Sequence, residues 1–225
     1  MDSLFPVRRP FFDRGFWTPI LGTKPVLCLS ACLLENELMG EADKGRIPNI
    51  DPERATGKTK RLLGQVRRKL GLVPNFFRVL ANAPVALEGY LNFSAALAGG
   101  SLDDRIRGQI AIAVAESNLC RYCLSAHAFL AEKAGLSPEE IASAVRASSS
   151  DSRTDAVLKL ARAIIVQRGE VSDAELERAR AAGLTDGELV ETVANIALNI
   201  FTNYLNHVAR TPIDFPEVES SGGAK

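Results

Sequence analysis

Three times in the second half of the chain a hydroxyl residue is followed three positions later by a glutamate: Ser137 and Glu140, Ser172 and Glu175, Thr185 and Glu188. In each pair the hydroxyl accepts from the amide three residues on, and the carboxylate reaches back to the hydroxyl residue's own amide. Two groups that a helix start leaves orphaned are thereby satisfied. Helices are therefore predicted from each of these points by local chemistry alone. Other boundaries follow the same logic. Leu62, Leu63, Val66 and Leu70 recur at helical spacing in a basic stretch over 52–70, with Gly71 placed to stop it. Pro74 and Pro84 open segments over 75–82 and 84–99, and Gly99 and Gly100 close the second. Ser101 with Asp104 is a cap signal for a stretch reaching about Asn118, and a cysteine-bearing helix follows to Gly135. Val157, Leu160, Ile164 and Ile165 mark a helix over 153–168, and a long one covers 189–209.

No alternating run argues for a sheet. The segments GLSPEEI at 135–141 and GLTDGEL at 183–189 resemble each other, which suggests a repeated helix-turn-helix, although two copies do not make a solenoid. The expected architecture is a single all-α domain, a helical bundle over 46–215, with a flexible tail over 216–225.

Residues 1–45 differ. They hold Trp17, four of the ten Phe and four Pro without helical period, and they read as an irregular extension. Arg8 and Arg9 faintly match an export signal and Leu29 to Cys32 a lipoprotein cleavage pattern. Asp13, Arg14, Pro19, Lys24 and Pro25 interrupt any apolar core such a signal needs. Cys28 and Cys32 fit more simply in a short apolar helix over 26–34. No run approaches the ~18 apolar residues of a membrane span. The 27 basic residues balance the 27 acidic ones, so no net field favours nucleic acid or an anionic membrane. Four cysteines are too few for a disulfide scaffold in a chain of 225 residues, which points to a reducing, cytoplasmic setting and to redox or metal chemistry for the close pair.

That pair lies in the run ESNLCRYCLSAH, in which Glu116, Cys120, Cys123 and His127 share one helical face. A thiol attacks as its thiolate, so something must take the proton. The helix start favours a thiolate at Cys120, whereas His127, one turn beyond Cys123, favours Cys123. The two signals nominate different nucleophiles. Whichever attacks, the other is placed to resolve a sulfenic acid or mixed disulfide. The rival reading is a zinc-binding or structural module using Cys120, Cys123 and His127, with Glu116 or His207 as a fourth ligand. In the final helix Asn195, Asn199 and Asn203 form a stripe followed by Asn206 and His207. It reads either as a polar seam in a bundle or subunit contact, or as a source of hydrogen bonds to the thiols from Asn203 and His207.

The run from Arg107 to His127, RGQIAIAVAESNLCRYCLSAH, followed by AGLS at 134–137, is similar to the carboxymuconolactone decarboxylase/AhpD-like superfamily in its peroxidase-related branch. GLVPN at 71–75, FTNYLNHVA at 201–209 and IDFP at 213–216 resemble that branch too. The resemblance implies an AhpD-like all-helical fold that assembles into homo-oligomers, trimers or hexamers. It implies a thiol-dependent peroxidase or disulfide reductase, without metal or organic cofactor, that takes a hydroperoxide as substrate and an external dithiol as reductant. By the same resemblance Cys123 is the peroxidatic thiol, His127 its proton relay and Cys120 the resolving thiol. Tyr122 is then a donor to a peroxide oxygen or relay water, or else a packed aromatic with an exposed hydroxyl. The relay glutamate that the family places twelve residues before the first cysteine is Gly108 here, and Glu116, eight residues further on, is a partial substitute or an ordinary solvated carboxylate. Lactone decarboxylation follows only from the superfamily's name, because the lactone decarboxylases as a group lack the thiol pair.

Overall fold

A computed structural model describes residues 45–218, all within one compact unit, Ala42–Lys225. The expectations for the N-terminal motifs, for Cys28 and Cys32, for the 26–34 helix and for the far C-terminal tail lie outside the described residues. Among the described residues the secondary structure is wholly α-helical: α1 Gly57–Leu70, α2 Asn75–Leu80, α3 Pro84–Ala98, α4 Asp104–Ser117, α5 Arg121–Lys133, α6 Pro138–Val145, α7 Ser152–Val166, α8 Asp173–Ala181 and α9 Asp186–Ala209. No helix among them is long and apolar enough to cross a membrane.

The centre of the bundle is α4, which packs against α5, α6, α7 and α9. Its sequence explains why. From Ile110 to Ala115 every residue is apolar and buried, so the helix has no solvent face over this stretch. Burying Ile110, Ile112 and Val114 contributes about 1.5–3 kcal/mol each, enough to fix α4 as the core around which the other helices arrange.

The three predicted capping boxes are all present, at Ser137, Ser172 and Thr185. Gly135 and Gly183, at φ +89° and +91°, turn the chain into the two related segments, and Leu136 and Leu184 are buried behind them. Gly71 ends α1 in the left-handed region at φ +80°. Two starts differ from expectation. The 52–70 stretch becomes helical only at Gly57, because the Asp51 carbonyl accepts from the amides of Arg54 and Ala55 in a separate turn. The cap of α4 is Asp103, whose Oδ1 accepts from the Ile106 amide at 2.8 Å, and not Ser101. Ser101 is displaced from that role because Glu191 of α9 accepts from the amides of Ser101 and Leu102 and holds this loop outside the helix.

Candidate functional site

The cysteines lie at a break between two helices. α4 ends at Ser117, Leu119 adopts φ +55°, and Cys120 is extended as the N-cap of α5. This corrects the expectation of one face running from Glu116 to His127. Glu116 is half-buried in the last turn of α4, on the helix that carries Gly108, and the left-handed turn at Leu119 separates it from the helix of Cys123 and His127.

A non-glycine residue in the left-handed region is strained, and Leu119 does not offset that strain by burial, since it is 63% exposed. The turn is held from α9. Asn118 Nδ2 donates to Asn203 Oδ1 at 2.9 Å, and His207 Nε2 lies 2.9 Å from the Asn118 carbonyl oxygen. Asn203 and His207 thus serve the thiols indirectly, by fixing the turn that presents Cys120. The sulfur-facing amide is Asn206, whose Nδ2 donates to Cys123 Sγ at 3.3 Å. Asn195 and Asn199 donate to carbonyls of their own helix, four residues back.

Cys120 and Cys123 are joined in a disulfide, with 5.3 Å between their Cα atoms. Cys120 Sγ also accepts from the Cys123 amide at 3.3 Å, a sulfur taking the place of the usual hydroxyl cap. Both residues are nearly closed to solvent, at 2% and 3% exposure. Cys123 and His127 open instead onto one cavity of about 490 Å³, whose walls include Phe76, Phe77, Tyr90, Phe129 and Phe215. Burial pushes the His127 imidazole down to about 4, opposed in part by a hydrogen bond with the Asn199 side chain. At neutral pH it is therefore an uncharged proton acceptor.

The hydroxyl of Tyr122 is not exposed. It donates to Asp214 Oδ1 at 2.8 Å and accepts from the Phe76 amide at 3.0 Å, while Asp214 Oδ2 accepts from the Asn75 amide at 2.7 Å. Burial first, and the Asp214 carboxylate with it, hold the phenol above its ordinary range. Tyr122 thus ties the segment after α9 to the start of α2, and Phe215, packed edge-on against its ring, joins the cavity wall. Asp214 and Asn206 are the residues that the sequence reading left without a role, although both stood in quoted motifs. Among the described residues no three His, Cys, Asp or Glu side chains are grouped as a metal ion would need, which removes the geometric basis for the zinc reading there. A Cβ at Gly108 would meet nothing within 4 Å, so it is not crowding at that atom that requires glycine there.

The carboxymuconolactone decarboxylase family matches residues 84–166, which span α3 to α7 and include both cysteines. No curated protein matches the chain. Among solved structures, an uncharacterized peroxidase-related protein from Ralstonia eutropha JMP134 with an alkylhydroperoxidase AhpD core is 26% identical. The similarity covers 76% of this chain and 93% of that one, with a TM-score of 0.67. A peroxidase-related protein from Silicibacter sp. TM1040 is 22% identical over 79% of this chain and 92% of its own, TM-score 0.66. The debrominase Bmp8, in complex with 2,3,4-tribromopyrrole, shares the fold at 16% identity, covering 75% and 91%, TM-score 0.65. The thiol-bearing helices thus match the carboxymuconolactone decarboxylase family, and the fold around them is similar to that of AhpD-like, peroxidase-related proteins.

Proposed function

We propose that the protein is a thiol peroxidase of the alkylhydroperoxidase type, acting on organic hydroperoxides through Cys123 and Cys120. The observation that carries this reading is the opening of Cys123 and His127 onto a single apolar cavity, with the partner thiol within disulfide distance on the other side. His127 takes the Cys123 proton, and the thiolate attacks the distal oxygen of the hydroperoxide. The O–O bond breaks, the alkoxide recovers the proton and leaves as alcohol, and Cys123 becomes a sulfenic acid. The Cys120 thiol then attacks Cys123 Sγ, water leaves, and the disulfide of the structure forms. An external dithiol returns both cysteines to thiols. Asn206 donates to the Cys123 sulfur throughout, and the aromatic walls select an organic substituent over water. Tyr122 acts through the cavity wall, and Glu116 is the relay's nearest substitute along α4.

Replacing Cys123 by Ser should lower thiol-dependent consumption of cumene hydroperoxide roughly a hundredfold or more. Equal rates in the two proteins would sink the reading. The pH profile is a second check. With its pKa lowered to about 4, His127 stays neutral and competent until the pH falls through that value, so its acid limb belongs near 4 and not near 6.5. Between those two values the unfolded chain binds the extra proton and the folded one does not, so stability falls as pH drops across that window.

The proposal extends to self-association. Val190, Val193, Phe201, Tyr204 and Val208 are exposed at helical spacing along one face of α9, an apolar stripe suited to a second copy of the chain. Light scattering should show an oligomer, and Phe201→Glu should dissociate it.

A further inference from the structure

The disulfide has two mouths, and they differ in chemistry. Cys123 lines the apolar cavity and Cys120 does not. Cys120 lines a separate groove of about 460 Å³, between the start of α5 and the end of α9, and Cys123 does not. Tyr122 and Asn206 belong to both and form the partition. The groove is polar. Arg121 and Arg210 face it with one carboxylate, Glu217, which is paired with Arg121. Arg210 has no carboxylate within ion-pair distance among the described residues. Asn206 is buried, with Nδ2 on Cys123 Sγ, and its Oδ1 meets no donor among the described residues.

We propose that the reductant enters by this second mouth, that it is a small thiol carrying a carboxylate, and that it attacks Cys120. The inference rests on the peroxidase reading above and names the partner of its reductive half. The incoming thiol loses its proton to solvent, Asn206 Oδ1 is placed to accept a hydrogen bond from it on approach, and its carboxylate is held by Arg210 beside Arg121. Its sulfur forms a bond to Cys120 Sγ as the Cys120–Cys123 bond breaks, and Cys123 leaves with the electron pair as a thiolate. Asn206 Nδ2 stabilises that leaving group as the Cys123 amide would stabilise Cys120, so the direction of attack is set by the groove, which reaches Cys120 and not Cys123. A second thiol of the reductant then attacks the reductant sulfur of the mixed disulfide and frees Cys120. Two electrons pass from the dithiol to the cysteine pair, one of its protons goes to solvent and the other to Cys120, and the reductant departs as its own disulfide. Cys123 is thus regenerated as a thiolate in the cavity where hydroperoxide arrives, without either substrate crossing the path of the other.

The sequence supplies a convenient assay, since Arg121 separates the cysteines and trypsin places Cys120 in the peptide 108–121 and Cys123 in 122–133. The full chain, oxidised with diamide, is mixed with the monothiol mercaptosuccinate, quenched with iodoacetamide and digested. Mercaptosuccinate on 108–121 with an alkylated 122–133 is expected, and the reverse pattern overturns the direction of attack. The charge claim is read as a ratio of reduction rates, dihydrolipoate against dihydrolipoamide, two identical 1,3-dithiols that differ only in a terminal carboxylate and its neutral amide. Arg210→Glu should lower that ratio about tenfold, and so should high salt with the unaltered protein, in which folding is not in question. A ratio indifferent to both overturns the anionic reductant. Oxidation of pre-reduced protein by cumene hydroperoxide is timed separately, so a failed peroxide reaction is distinguished from a misassigned reductant.

Discussion

The starts of α6 and α5 are built by opposite means. At α6 the turn and both capping partners lie within six residues, and Arg105 only adds contacts to the Gly135 carbonyl and Glu140 from outside. Gly135 makes the left-handed turn, Ser137 Oγ accepts from the Glu140 amide at 3.2 Å, and Glu140 Oε2 accepts from the Ser137 amide at 2.8 Å. At α5 a leucine takes the left-handed turn, a sulfur is the cap, and the stabilising contacts arrive from Asn203 and His207 more than eighty residues away. The first start is a local code that folds itself. The second persists because the surrounding structure holds it, and that is the place where the cysteine pair sits.

Changing the α9 side of the contrast should have the largest consequences. Asn206→Leu removes the donor to Cys123, and disulfide formation by cumene hydroperoxide in pre-reduced protein should slow about 10- to 100-fold, the worth of a hydrogen bond to a charged sulfur. A rate within twofold of the parent would make that amide mere packing. Asn203→Ala comes next. It strips the Asn118 amide of its partner and should cost about 2 kcal/mol in urea unfolding. An unchanged midpoint would show that the α5 start is as self-sufficient as that of α6. Ser137→Ala should cost only about 1 kcal/mol and leave the peroxide rate alone, because its cap is local and remote from the cavity. Leu119→Gly should be smallest in stability, within about 1 kcal/mol, since relief of left-handed strain is offset by glycine's greater freedom in the unfolded chain. A large loss there would mean that the leucine side chain has a role beyond the turn.

The same contrast explains how much was legible in the sequence. Capping boxes, glycine turns and the apolar interior of α4 depend on residues close in sequence, and the all-α fold was readable from them. Ser101 was misread because its competitor, Glu191, lies on α9. A face shared by Glu116 and the cysteines is expected across the helix boundary at Asn118, because nothing about Leu119 announces a left-handed residue. The amide seam pointed to α9 as a neighbour of the thiols, but choosing Asn206 over Asn203 requires the rotation of one helix against another. Three residues on a helix turn the side chain by about 300°, so periodicity alone leaves that rotation open. Asp214 stood in a quoted motif, yet its partners are 92 and 139 residues away.

That last distance bears on the order in which the molecule is assembled. The contacts of α4 with α5, α6 and α7 are ones that a growing chain can make early, whereas the docking of α9 and the Asn75–Asp214 and Tyr122–Asp214 links close long loops, and long closures form late. Phe215 cannot complete the cavity wall until this segment has been synthesised and docked. The cavity wall beside Cys123 is therefore completed only after the helices that carry the cysteines exist, by the segment that follows α9.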